Sequence, residues 1–239
     1  MSTILSTTTK VSYTDVYRVL LLSSSVASFK MRPFRFSDNQ EIQKIYLEAH
    51  QSFVFPAFIS GLLNPYIFSP ALLVAHLVAI GTGSIIFALG ALAFFITAIY
   101  VSYDLKVMNH INHSLSTDLD NIGSFYQSGR DESSFWVVET EGRVAGFVGV
   151  IQRDGATVEL QRLTVAAEFR RRGIGEKLCR HVISFYKRKK FRKLILECTE
   201  VHIAGKNLYV KLGFDVHERV QDPFALSAIT LEHYSLNLT

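Results

Sequence analysis

The sequence predicts an α/β domain interrupted by a hydrophobic hairpin. Three observations carry that expectation. The stretch Arg170-Arg171-Arg172-Gly173-Ile174-Gly175 separates an apolar strand-like run from a long helix-like run. Past about residue 130, short β-rich runs alternate with helix-like runs, the pattern of a sheet with flanking helices. From Ala49 to Tyr103 the chain has no Asp, Glu, Lys or Arg, a length of uncharged chain that a soluble core does not need.

Taken in order, Met31–Phe36 reads as a first strand and the residues from Asp38 as a first helix, capped by Ser37. Lys106–Gln127 reads as a polar-faced helix. Phe135–Thr140 and Val144–Gln152 form a hairpin around Glu141-Gly142. Thr157–Val165 follows as a strand, entered through Asp154-Gly155, and leads into the Arg/Gly loop and a helix from about Gly173 to Lys190. Lys193–Cys198 is the next strand, Val201–Leu212 a helix, and Phe214–Val220 with Ala228–Leu236 close the sheet. The expected organisation is an N-terminal extension (1–30), a first strand and helix (31–52), an inserted hairpin (53–103) and the remainder of the domain (104–239). Val16–Phe29 carries Arg18 and a serine run, which makes it a poor signal peptide. It reads better as a disordered or surface-lying extension.

A membrane span takes about 20 residues, so the charge-free run holds two with a short turn. Gly81-Thr82-Gly83-Ser84 is the natural turn, with spans at Phe58–Ile80 and Ser84–Tyr103. Asn64, Pro65, Pro70 and His76 make the first span kinked or shorter. The alternative is one long span near Ala71–Tyr103 with Phe53–Ser69 in the interface. Topology favours the hairpin if the first strand before the insert joins the strands after it in one sheet, since both must then lie on one side of the membrane. Lys44, Lys106 and Arg35 beside the insert favour a cytosolic domain. A channel or transporter needs more spans than one hairpin provides.

Over its 239 residues the chain has a net charge of only +4, but the charge is uneven. Between Phe169 and Lys193 Glu176 is the sole acid among many Lys and Arg. Such a run suits a solvated helix face, phosphates at its N-terminal end, or anionic lipid headgroups at Lys187–Lys190. Nucleic acid fits poorly, since few aromatics are interleaved. Cys179 and Cys198 sit within apolar runs and read as buried thiols. His110 and His113 have no further ligands nearby, so a solvated helix face is preferred to a zinc site and no metal is expected.

The Arg/Gly loop has the chemistry of a phosphate cradle. Gly173 and Gly175 let the backbone approach a ligand closely, the following helix aims its positive end at the same spot, and Arg170, Arg171 and Arg172 add charge. The loop resembles the acetyl-CoA motif of the GNAT acetyltransferases, Q/R-x-x-G-x-G/A, through Arg170, Gly173 and Gly175. Ala204 to Phe214, AGKNLYVKLGF, resembles their second signature, A-x-x-x-L-Y-x-K-x-G-F. A chance Arg/Gly turn would not bring the second motif with it. The hairpin position, Asp118-Leu119-Asp120-Asn121-Ile122 and Ser134-Phe135-Trp136-Val137-Val138-Glu139 resemble the camello-like (N-acetyltransferase-8-like) branch over about Arg32 to Phe214. Many GNATs place a cofactor-contacting Asn just before the Ala of the second signature; here Val201 and His202 stand there, and Asn207 within the helix is the candidate substitute.

The resemblance implies a mixed, mostly antiparallel sheet with flanking helices, acetyl-CoA as co-substrate, and an amine acceptor. Members of the branch act at intracellular membranes, chiefly the endoplasmic reticulum, on cysteine S-conjugates, on lysines of secretory-pathway proteins and, in one relative, on aspartate. The first of these, or a similar amphipathic amino acid, is the expected acceptor here, with the lysine reading and a catalytically degenerate scaffold as alternatives. Leu163, Thr164 and Val165 are expected to bind the pantetheine arm, and Arg170, Arg171, Arg172, Gly173, Ile174 and Gly175 the pyrophosphate. A lysine amine has a pKa of about 10.4 and an α-amine about 8, so attack needs a base or a desolvating site. Glu159 lies fourteen residues before Gly173, the spacing at which the histone-acetyltransferase branch of GNATs places its glutamate base, so the resemblance implies it as the base candidate; its plain alternative is a strand glutamate pairing with Arg162 or a neighbouring strand. Tyr209 is the candidate acid for the departing thiolate, or else a helix tyrosine packed beside the cofactor.

Overall fold

The computed structural model describes residues 29–129, 131–221 and 230–239. Most of the expected N-terminal extension and the start of the expected last strand lie outside them. Seven strands form one sheet in the order β1-β2-β3-β4-β5-β7-β6, with β1 at Lys30–Pro33, β2 at Ser134–Thr140, β3 at Arg143–Gln152, β4 at Thr157–Val165, β5 at Lys193–Thr199, β6 at Asp215–Gln221 and β7 at Thr230–Asn237. Every pairing is antiparallel except β4 with β5. The sheet is mixed and mostly antiparallel, as expected. β1, which precedes the hydrophobic insert, pairs with β2, which follows it.

The described residues form seven α-helices: α1 (Asn39–Gln51), α2 (Val54–Leu62), α3 (Pro65–Thr82), α4 (Ile85–Leu115), α5 (Ile122–Tyr126), α6 (Ile174–Arg188) and α7 (Ile203–Lys211). Val144 to Val150 of β3 are buried without a break, which means both faces of the sheet are covered. Consecutive β2 residues show how. Trp136 packs its ring on His181, Phe185 and Tyr186 of α6, while Phe135 turns to the other face and meets Tyr126 of α5. A Cβ on Gly149 would stand 2.8 Å from the Tyr126 ring, so only glycine admits that tyrosine so close to the strand.

The first helix begins one residue later than expected. Asp38 rather than Ser37 is the residue before it, because the Asp38 carboxylate accepts from Arg32 at 2.7 and 2.9 Å and from the Arg35 backbone at 2.8 Å. That bonding bends Phe36–Asp38 into a 3-10 turn. The expected first span, Phe58–Ile80, is divided at Asn64. Asn64 is extended, as a residue before proline prefers, and caps α3 by accepting from the Tyr66 N–H at 3.0 Å. α3 therefore has 18 residues, about 27 Å of helix. The expected turn is present: Gly83 adopts φ 64° and Ser84 precedes α4. The helix breaks there, so a single long span is not what forms.

α4 does not stop where the polar residues begin. It runs 31 residues, into the segment read from sequence as a separate helix over Lys106–Gln127. No proline or glycine follows Gly90 within it, and a helix once nucleated propagates cheaply. At about 1.5 Å per residue it spans about 46 Å. α5 is a separate short helix capped by Asn121, whose side chain accepts from Ser124 N–H.

α3 and α4 are long and apolar enough to cross a membrane, and only 11% of each apolar window is buried. Leu73, Leu77, Ile80, Ile86, Phe87 and Phe94 face outward. At the domain end of this pair, Ala57, Ile67, Ile99 and Tyr103 form a small core of their own. α2 and α4 touch so closely there that a Cβ on Gly61 would lie 2.1 Å from the Tyr103 hydroxyl. Val201, just past β5, packs against the same cluster, which joins the C-terminal end of β5 to the apolar helices.

Candidate active site

The site follows from the single parallel pairing. β4 and β5 are in register only from Thr157 to Glu159 against Lys193 to Ile195. Beyond that the strands part, and a cavity of about 300 Å³ opens in the wedge. On its other edge β4 stays paired with β3, but the register shifts between Phe147 and Gly149. Arg162 sits at that irregularity with φ 57°, a left-handed conformation costly for a residue with a Cβ. Gly146 of β3, opposite Val165, admits no side chain, since a Cβ there would stand 2.9 Å from the Thr164 carbonyl oxygen.

Past Val165, β4 turns through Ala167–Phe169 into the Arg/Gly loop. Arg170 Nε donates to the Val165 carbonyl at 3.3 Å and ties the loop to the strand end. Arg171 and Gly173 both take positive φ, 63° and 77°. Lys177 is bonded to the Gly173 carbonyl at 3.0 Å, so the N–H groups of Ile174, Gly175 and Glu176 form the open first turn of α6. A Cβ on Gly175 would meet Leu208 at 3.4 Å and Val165 at 3.8 Å. The loop is thus seated on β4 and on α7 together, and the Lys211–Glu176 ion pair at 2.6 Å strengthens the α6–α7 contact.

Glu159, Leu163, Thr164 and Tyr209 all line the cavity. Val165, the loop residues Arg170 to Gly175 and Asn207 lie outside its lining, the loop at the end of β4 and Asn207 exposed on α7. Tyr209 is buried between Phe214 and Tyr234, with ring centroids at 5.8 and 5.6 Å. Burial first, then the neighbouring Cys198, pushes its phenol well above the usual value, so it holds its proton. Glu159 is buried, and both its oxygens are engaged: Gln161 Nε2 donates to one at 2.7 Å and Arg153 Nε to the other. Of the two pairings considered from sequence, Arg162 or a neighbouring strand, the partner is Arg153, one residue past the end of the neighbouring β3, because Arg162 is held elsewhere. Burial raises both thiols, Cys179 and Cys198, to about 12.

Sequence reasoning missed the opposite wall, built from Tyr46 and His50 of α1, His110 of α4 and His202 before α7, with Arg162 of β4 between. Arg162 grips buried Asp118 with Nε at 2.8 Å and Nη2 at 2.7 Å, and donates from Nη1 to the Tyr46 hydroxyl at 2.8 Å. Tyr126 also donates to Asp118, at 2.5 Å. The Tyr46 hydroxyl donates to Ser114 at 3.1 Å. His50 packs against Tyr46 with the rings tilted by 35° and 3.9 Å between centroids, and His202 packs against Phe53 at 3.7 Å with the planes 58° apart. Burial lowers both His50 and His202 to about 4. His110 was read as part of a solvated helix face; it is exposed, but to this cavity. The signal that pointed here was Val201-His202 standing where the second signature departs from its usual pattern.

With this geometry in view, a family profile described as Acetyltransferase (GNAT) family matches residues 96–214. The probable N-acetyltransferase camello of Xenopus tropicalis is 29% identical over 191 residues, covering 79% of this chain and 87% of that one. N-acetylaspartate synthetase of the same species is 28% identical, covering 77% of this chain and 68% of its own. Human N-acetyltransferase 8 is 34% identical over 110 residues, covering 44% of this chain and 48% of that protein. Among solved structures, a GNAT-family acetyltransferase of Staphylococcus aureus superposes over 89% of this chain and 100% of its own with a TM-score of 0.57 at 16% identity, a likeness of fold.

Proposed function

The chain belongs to the GNAT acetyltransferase family and uses acetyl-CoA as co-substrate, and from that premise we propose a membrane-anchored enzyme that acetylates the α-amine of a cysteine S-conjugate or a similar amphipathic amino acid. The observation that carries this reading is the docking of the cavity's rim onto the apolar helices. His202 lies on Phe53, and Val201 packs on the cluster between α2, α3 and α4. An acceptor with an apolar tail would then reach the wedge from the bilayer side.

The residues divide the work as follows. The first turn of α6 and the arginines before it hold the pyrophosphate, with Gly173 and Gly175 giving close approach. The free edge of β4 at Leu163, Thr164 and Val165 receives the pantetheine arm, and a strand N–H polarises the thioester carbonyl. Asn207, facing outward from α7, lies toward the nucleotide end. Glu159 draws the ammonium form of the acceptor and takes a proton from it, directly or through water. The amine attacks the carbonyl carbon, the C–S bond breaks, and Tyr209 protonates the sulfur. Attack is direct: buried thiols at about 12 are poor nucleophiles for an acetyl-enzyme.

α3 and α4 would form the anchor, with their turn at Gly83 on one side and the sheet on the other. The endoplasmic reticulum with a cytosolic catalytic domain is the placement we favour, from Lys44, Lys106 and Arg35 at the domain end. The test is coenzyme A release by membranes containing the full chain, with S-benzyl-L-cysteine, L-aspartate and a lysine peptide as acceptors. The cysteine conjugate is expected to give the highest kcat/KM. A lysine peptide in first place would move the protein to the secretory-pathway lysine class, and silence towards all amines would leave an acetyl-CoA-binding scaffold.

A further inference from the structure

N-acetylation removes two protons from an ammonium acceptor: RNH3+ and acetyl-CoA give the amide, coenzyme A thiol and one free proton. The nitrogen loses the first before attack and the second as the C–N bond forms. Glu159 answers for one of them in the reading above, on which this inference rests. The cavity holds a second acceptor on the facing wall. His50 Nδ1 lies 2.9 Å from the Tyr46 carbonyl oxygen. A carbonyl only accepts, so Nδ1 carries the hydrogen and Nε2 the lone pair. The tilted contact with the Tyr46 ring, 3.9 Å between centroids, holds the imidazole in place, and Tyr46 is itself fixed by Arg162 and Ser114.

We propose that His50 Nε2 is the catalytic base for the second proton, taking it from the cationic nitrogen of the tetrahedral adduct. In that step the N–H bond breaks, its electron pair stays on nitrogen, and collapse of the adduct sends the C–S pair to sulfur, where Tyr209 supplies a proton. The imidazolium proton returns through cavity water to restore Tyr209, so the enzyme ends as it began and one proton, taken by Glu159, is released. The groups around His50 keep it ready. Tyr46 lies on its own helix, His110 faces it from α4, His202 from the start of α7, and Arg162, balanced by Asp118, from β4. Burial and these neighbours hold it near 4 and therefore unprotonated at neutral pH. The adduct nitrogen shares its carbon with oxygen and sulfur, which makes it a stronger acid than the free ammonium and suits a weak base.

The test compares the full-length wild type with His50→Gln and His50→Ala, using whichever of S-benzyl-L-cysteine, L-aspartate or the lysine peptide releases coenzyme A fastest. His50→Gln is expected to lose about 10²-fold or more in kcat with both KM values little changed, and free imidazole is expected to restore a measurable part of the His50→Ala rate. Diethyl pyrocarbonate on the wild type gives a measurement that needs no variant to fold: activity is expected to fall in step with modification mapped to His50. A kcat within about twofold of wild type, a loss confined to KM, no rescue by imidazole, or activity surviving full modification of His50 overturns the proposal. Wild-type silence towards every amine would contradict the acetyl-transfer reading itself, whereas a wild-type rate untouched by His50→Gln contradicts this inference alone.

Discussion

At Arg162 the backbone is held at φ 57° by what the side chain gains. Its guanidinium binds the Asp118 carboxylate through two nitrogens and the Tyr46 hydroxyl through a third, and a buried pair broken at one partner costs about 3–5 kcal/mol. Asp118→Asn is therefore expected to lower the thermal midpoint in detergent sharply, and a midpoint unchanged within a degree or two would show that the pair is not the brace described. The loop glycines differ from one another. Gly173 has open space for a Cβ but needs positive φ; Gly175 has ordinary φ but sits against Leu208 and Val165. Gly175→Val is expected to crowd that seat and raise the acetyl-CoA KM strongly with the fold kept; unaltered acetyl-CoA binding would remove the loop from the pyrophosphate site. Acid acts through the histidines. His50 and His202 have folded values near 4, below the 6.5 of a free imidazole, so the unfolded chain binds more protons between those limits. Stability is expected to fall as pH drops from about 6.5 to about 4, with a shallower fall in His50→Gln; equal slopes in a thermal scan would say that His50 is not buried neutral. Tyr209 and the loop were legible as candidates because each lies inside a short motif, and Glu159 because of its spacing to Gly173. Tyr46, His50, His110 and His202 were not, because they come from three separate segments and only the tertiary fold brings them to one wall.

At the scale of elements, the wedge between β4 and β5 and the long α4 do most to make the site. The strands β4 and β5 and the helix α6 stand close to where the sequence puts them, since alternation, the Arg/Gly loop and the charged helix face are local signals. The end of α4 was not legible. Polarity changes at Asp104, but polarity marks surroundings rather than conformation, and nothing in the following residues breaks the helix. That continuation carries His110 and Ser114 to Tyr46 and Arg162, so the apolar helix and the cavity share one rigid rod. The crossing of α2 over α4 depends on Gly61, where a side chain would strike Tyr103. Gly61→Leu is expected to separate the helices and lower activity as well as stability, because Val201 and His202 rest on that junction. A fully active Gly61→Leu variant would show that the apolar helices and the catalytic rim are uncoupled.

For the whole molecule, β1 and β2 pair across the insert, so both ends of the α3–α4 pair meet on one side of any membrane they cross. Glycosylation acceptors placed in the Gly81–Ser84 turn and near Asp131 are expected to be modified one at a time: the turn if the domain is cytosolic, the Asp131 site if it is lumenal. Modification of both in one molecule would contradict a membrane hairpin. The anchored chain is also expected to resist alkaline carbonate extraction. The most direct test of the account is the rate of amine-dependent coenzyme A release by the full chain in lipid vesicles, wild type against Tyr209→Phe. Release that requires an amine, and that falls about 10²–10⁴-fold in kcat in the variant while acetyl-CoA binding is retained, is the predicted result. Release that ignores the amine, or a Tyr209→Phe rate within twofold of wild type, would contradict acetyl transfer in the wedge between β4 and β5.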